Sequence, residues 1–175
     1  MYNPGATMIG SLALRLALVA TIVTTVGCDR VTKHVATSTL AGRPGRSLLA
    51  DTVRLAYVEN TGAFLGLGSG LPIEARTALF TIATAVLLLA LVAYGIRLRW
   101  TGWPAFGLTL LVGGGVSNWV DRVLHGSVID FINVGVGPLR TGVFNVADVA
   151  IMVGVGIVLA YEFRRGRRTA AAIRS

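Results

Sequence analysis

Two carboxylates stand where chemistry is expected: Asp130 in GSVIDFINV and Asp148 in FNVADVAIMVGVGIVLA. An ionised side chain in such apolar company is costly, and its retention marks a functional position. Asp130 is flanked by Val128, Ile129, Phe131 and Ile132, and Asp148 opens a long apolar stretch. Two carboxylates brought together in a low-dielectric site cannot both ionise, so they share one proton and supply a base and an acid at once. One takes a proton from water while the other polarises a carbonyl, which is the chemistry of aspartic peptidases. No GxSxG, HExxH or Cys-His pattern competes with it. The two histidines, His34 and His125, and the single Cys28 are too few for a metal site.

Further polar residues fall at the ends of apolar segments on the same side as the two aspartates: Asp29, Lys33, Asn60, Asn118, Asp121, Arg122 and Asn145. Each has an ordinary structural reading beside the functional one. Asp29 and Lys33 are spaced to pin a helix end as an i, i+4 pair. Asp121 beside Arg122 reads as an interfacial ion pair, and Asn118 as a helix-to-helix hydrogen bond.

The elements that must position these residues follow from composition. The 175 residues are 54% hydrophobic and 14% charged, with mean hydropathy +0.71, against about 25% charged in soluble domains. This is the composition of an integral membrane protein. Four windows approach the ~20 apolar residues of a spanning helix: about 8–27, 77–96, 103–120 and 144–163. The third is rich in glycine, which suits close helix packing. The expected fold is a membrane all-α bundle of four transmembrane helices, in one domain over residues 1–175. Between the first two helices a small extramembrane β-sheet is expected, because GRPGR signals a turn and Val53, Leu55 and Tyr57 alternate with Thr52, Arg54 and Ala56. Four spans put both termini on one side, and the dense basic tail RRGRR favours the cytoplasm for it. The net charge of +8 is strung around the spans, so membrane lipids are the expected partners and nucleic acid is not.

CDRVTK (28–33), ENTGAFLGLG (59–68), GGGVSNWVDRVLHGSVIDFINV (113–134) and FNVAD (144–148) resemble, in order and spacing, the signature blocks of the type II, or lipoprotein, signal peptidases. Where that family commonly reads GGALGN, this chain carries Gly115, Val116 and Ser117 before Asn118. The resemblance implies a four-span aspartic peptidase of the bacterial cytoplasmic (inner) membrane. Its substrate would be a prolipoprotein, cut just before the cysteine that carries a diacylglyceryl group. Asp130 and Asp148 resemble the catalytic pair. Asn118, Arg122 and Asn145 resemble the residues that hold that pair and the substrate backbone, and Asp29, Lys33, Asn60, Gly62 and Asp121 support the site. The family also implies cytoplasmic termini, which puts the active site near the outer (periplasmic) face; the chain is expected to be a monomer with neither cofactor nor metal. The loop 48–70 is expected to close over the site from the aqueous side.

Two other classes are open to the same sequence. Thr25-Val26-Gly27-Cys28 behind an apolar segment imitates a lipobox, which would make the chain a lipoprotein itself. Thr25 in place of the usual leucine and the interrupting Arg15 speak against it. A small transporter could use the same aspartates and asparagines for ion passage, but the polar residues crowd one face instead of continuing across.

Overall fold

The computed structural model describes residues 4–61 and 71–174, with side chains described for 12–61 and 71–167. Gly62 and the rest of the expected closing loop as far as residue 70 lie outside the described residues. The elements run α1 (Pro4–Leu40), β1 (Arg46–Leu48), β2 (Val53–Asn60), α2 (Ile73–Arg97), α3 (Trp103–His125), β3 (Val128–Val136), β4 (Leu139–Arg140) and α4 (Val146–Arg174).

Three of these helices, α1, α2 and α4, are long and apolar enough to cross a membrane. Their Leu, Ile and Val side chains stay exposed on the outer faces, Ile82 at 64% and Leu89 at 71%, as lipid-facing positions require. The helix α3 falls short of that hydropathy because it packs against all three others. Its buried positions are small or polar: Gly107, Thr109, Gly113, Gly114, Gly115, Ser117, Asn118 and Asp121. At Gly107 an added Cβ would stand 3.0 Å from the carbonyl oxygen of Gly154, and at Gly114 it would collide with that of Ala147. The two glycines thus bring α4 into backbone contact with α3.

Two expectations need correction. The first helix does not stop near residue 27 but continues to Leu40, through the polar run CDRVTKHVATSTL. There Thr32, Thr37 and Thr39 bond back to the carbonyls of Cys28, Lys33 and Val35, and the charged side chains turn inward to α3. The sheet, in turn, is not confined to the first connection. It is a four-stranded antiparallel sheet in the order β1-β2-β3-β4, half of it supplied by the α3–α4 connection. It rests on the end of α1, where Ala36, Leu40 and Phe131 form a small core joined by Leu55, Tyr57, Ile132 and Val146.

The register of β2 on β3 shifts between Leu55 and Val58. Before the shift Leu55 faces Ile132; after it Val58 faces Asp130 and Asn60 faces Val128. One extra residue in β2 transfers the following side chains to the other face of the sheet. That bulge is what sets Asn60 on the same face as Asp130.

Candidate active site

The segment FNVAD builds the site letter by letter. Phe144 is bridged to β3: the backbone N–H groups of Phe131 and Ile132 donate to its carbonyl at 3.0 and 2.8 Å, and its own N–H donates to Ile132 at 2.8 Å. This clamps the start of α4 beside Asp130. Asn145 then caps the helix. Its side-chain oxygen accepts the N–H of Asp148 at 2.9 Å, while Asp148 Oδ2 accepts the N–H of Asn145 at 3.0 Å. The reciprocal pair is a capping box. Ala147 has no exposed surface, fits against Gly114, and donates its N–H to Asp29 Oδ1 at 2.9 Å. Two carboxylates therefore sit at the positive end of the α4 dipole, where negative charge is favoured.

Asn145 is the hinge between the two aspartates. Its Nδ2 donates to Asp130 Oδ1 at 2.7 Å, and its backbone N–H serves Asp148. Asp130 also accepts Asn60 Nδ2 at 2.9 Å, and Asp148 accepts Asn118 Nδ2 at 2.8 Å. Asp130 lies in the sheet and is 2% exposed. Burial pushes its carboxyl up to about 6 against the pull of the Asn60 hydrogen bond, and the charge of Asp148 pushes the same way. The two carboxyls thus interact as a pair.

Behind the pair lies a buried ionic cluster. Lys33 Nζ reaches Asp29 Oδ2 at 2.6 Å, Asp121 Oδ2 at 2.7 Å and Asn118 Oδ1 at 2.8 Å. An ammonium has three donors and no acceptor, so all its capacity is spent. It also fixes the Asn118 amide: the oxygen must face Lys33, and the nitrogen must face Asp148. Ser117 Oγ donates to Asp29 at 2.7 Å, and Arg30 pairs with Asp121 while donating to the Ser117 carbonyl at 2.9 Å. Two cations and two carboxylates cancel, which is the condition for burying them.

The i, i+4 pairing of Asp29 with Lys33 holds, but the pairing of Asp121 with Arg122 does not. Successive helix residues point apart, and Asp121 turns to Arg30 and Lys33 of α1 instead. Arg122 faces the fields of Asp130 and Asp148, and its buried Nε has no hydrogen-bond partner among the described residues. Of the residues singled out from sequence, Asp29, Lys33, Asn60, Asn118, Asp121, Asn145, Asp130 and Asp148 are tied together by hydrogen bonds. Arg30 and Ser117 belong to the cluster without having been singled out as site residues. The i, i+1 adjacency of Arg30 to Asp29 masked the first, and the second was noticed only as a departure from GGALGN.

The family model for signal peptidase (SPase) II matches residues 21–164. The lipoprotein signal peptidase of Syntrophomonas wolfei is 36% identical over 140 residues, covering 80% of this chain and 88% of that protein. That of Brevibacillus brevis is 31% identical over 152 residues, with 86% and 96% covered. A solved structure described as a bacterial membrane enzyme superposes with a TM-score of 0.74 at 27% identity, covering 85% of this chain and 88% of that one. The chain belongs to the signal peptidase II family, membrane proteases that process the signal peptides of prolipoproteins.

Proposed function

We propose that this protein is an aspartic endopeptidase of the bacterial inner membrane, cutting diacylglyceryl-modified prolipoproteins just before the lipidated cysteine, with Asp130 and Asp148 as its catalytic pair. The observation that carries the reading is the bridging of these two carboxyls, one from β3 and one from α4, by the single residue Asn145. Water bound between them loses a proton to the ionised carboxylate as its oxygen attacks the scissile carbonyl, which the protonated partner polarises. The gem-diol then collapses: the C–N bond breaks, the cysteine nitrogen takes a proton from the pair, and the signal peptide leaves with a new carboxyl group. No covalent enzyme intermediate forms. With one proton shared, the pair carries one negative charge, which Arg122 balances.

In this reading α3 is the fourth span, central in the bundle, and the whole chain is one monomeric domain with both termini in the cytoplasm. The sheet and the catalytic pair then lie at the periplasmic face. Cytoplasmic termini agree with the basic cluster Arg164, Arg165 and Arg167 at the far end of α4. The deciding experiment incubates the purified protein with a prolipoprotein in its diacylglyceryl-modified and unlipidated forms, read by mass spectrometry. Cleavage of the lipidated form alone, at the bond before its cysteine, is expected. Cleavage of both, or of neither, would overturn the assignment.

A further inference from the structure

Arg15 interrupts the apolar run of α1, and nothing at the sheet end of the bundle uses it. Its depth follows from helix packing. Thr25 lies against Gly113, Asp29 bonds Ser117 and Lys33 pairs with Asp121, so α1 and α3 run parallel and in step. Ten positions back along each helix from Thr25 and Gly113 stand Arg15 and Trp103, about 15 Å further from the sheet at 1.5 Å per residue. Trp103 is exposed and opens α3. Beside it in the α2–α3 turn, the Trp100 ring meets Tyr94 edge-on at 5.5 Å and Tyr161 at 6.2 Å. Aromatic rings gathered at one level mark a membrane–water interface. Arg15 therefore stands at the interface on the side of the termini, exposed, on the α1 face that also carries Leu18 and Ile22.

That face borders a cavity of about 290 Å³ between α1, α2 and α3. Its walls are Leu18 and Ile22 of α1, Val92 and Ile96 of α2, and Leu108 and Val112 of α3, and Arg99 and Trp100 line it from the turn. The hydroxyl of Thr109, also in the wall, already donates to the Ala105 carbonyl. Trp100 is different: its indole Nε1 is buried and has no hydrogen-bond partner among the described residues. A buried donor left unmade is costly, and an occupant with an oxygen at this end would satisfy it. Arg99 is held at φ +51, where glycine would sit with less strain, so the turn places a guanidinium there at a conformational cost. Neither Arg15 nor Arg99 forms an ion pair among the described residues, and Glu162, the acid at this end, is paired with Arg165 at 3.4 Å. An aliphatic pit with a free indole donor and two unpaired cations at the interface has the polarity of a phospholipid: chain inward, phosphate outward. We propose that this cavity is a binding site for one anionic phospholipid of the bilayer, with an acyl chain among Leu18, Ile96 and Leu108 and the headgroup phosphate between Arg15 and Arg99. Trp100 Nε1 then donates to an ester or phosphate oxygen of the same lipid. Calling that leaflet cytoplasmic rests on the topology proposed above; the binding does not. Two cations beside an anionic headgroup give about a tenfold or greater preference over a zwitterionic lipid, and a lipid that wedges three folded helices together stabilises the bundle by mass action.

The test titrates the delipidated protein, in mild detergent, with phosphatidylglycerol or phosphatidylcholine of identical chains, and with soluble glycerol phosphate as competitor. Bound lipid is counted by native mass spectrometry, and Tm is followed in parallel. Three variants accompany the wild type: Arg15→Gln/Arg99→Gln, Trp100→Phe, and Arg164→Gln/Arg167→Gln, which removes two exposed cations at the end of α4 that do not line the cavity. The wild type should hold one phosphatidylglycerol about tenfold more tightly than phosphatidylcholine and gain Tm with it. That ratio should fall toward one in Arg15→Gln/Arg99→Gln and stay as in the wild type in Arg164→Gln/Arg167→Gln. Trp100→Phe, which keeps a ring and loses the donor, should bind phosphatidylglycerol several-fold more weakly. Ratios read within one variant are independent of its folded fraction. Equal binding of the two lipids by the wild type, or a ratio that falls as far in Arg164→Gln/Arg167→Gln, would reduce the effect to diffuse surface charge and overturn the proposal. Displacement of the lipid by glycerol phosphate at equal concentration would overturn it too, since the chain would then contribute nothing. Because no peptide substrate is used, none of these outcomes bears on the peptidase assignment.

Discussion

Replacing Lys33 by Met tests the ionic cluster and its link to the proposed catalytic pair in one variant. The methionine keeps most of the apolar stem and removes the ammonium. Three acceptors at 2.6, 2.7 and 2.8 Å lose their donor, in a place where Lys33 is 3% and Asp29 0% exposed. Removing one partner of a buried pair costs about 3–5 kcal/mol. Here the lower end applies, because Asp29 keeps Ser117 and the Ala147 N–H, and Asp121 keeps Arg30. A loss of about 3 kcal/mol lowers Tm by roughly 6–12 °C in a chain of this size. Turnover should fall further than folding does, by about tenfold or more per folded molecule, since the Asn118 oxygen keeps only Asn145 Nδ2, at 3.1 Å, and its amide then holds the donor to Asp148 less firmly. The assay is thermal unfolding in detergent together with cleavage of a lipidated substrate well below Tm. An unchanged Tm would refute the reasoning about the buried charges. A lowered Tm with full turnover per folded molecule would refute the link through Asn118.

Asp130→Asn and Asp148→Asn should each insert and fold yet lose turnover by about three or more powers of ten; near-normal cleavage by either would end the aspartic assignment. Asp130 also gives a signed pH effect. Its carboxyl is raised from 3.8 to about 6 in the folded protein, so its contribution to stability is present below about 3.8 and lost as pH rises through about 6. Asp130→Asn should therefore gain stability relative to the wild type at pH 7 and lose that advantage by pH 4, as read from paired unfolding curves. Activity should survive thiol alkylation and chelators, and Cys28→Ala, at an exposed position on α1, should cleave normally; loss with a chelator that a divalent metal restores would contradict the mechanism. Gly114→Ala should cost more activity than any exposed glycine replacement, because its methyl meets the backbone carbonyl of Ala147 and pushes the α4 cap from its place; a fully active Gly114→Ala would show that the contact is not needed.

The paired carboxyls of Asp130 and Asp148 and their asparagines were legible as a cluster because residue type alone made them conspicuous: Asp and Asn at the ends of apolar segments need partners, and they found one another. The partners themselves were less legible, since a linear sequence presents neighbours that the helix then separates. Asp121 touches Arg122 in the sequence and Arg30 in the fold, because the rotation per residue that parts adjacent side chains brings positions on facing helices together. The strand β3 was hidden for a different reason. VIDFINV looks like the apolar flank of an aspartate, and it becomes a strand only through pairing with β2, some seventy positions earlier. The same pairing supplies the bulge that turns Asn60 toward Asp130. Local pattern thus gave the atoms of the site. Its geometry came from two long-range clamps, Phe144 on β3 and Gly114 against Ala147, which hold the α4 cap between the sheet and the central helix. Neither clamp contains a group that does chemistry. FNVAD nevertheless works as a unit because its Phe and Ala fix where its Asn and Asp must stand.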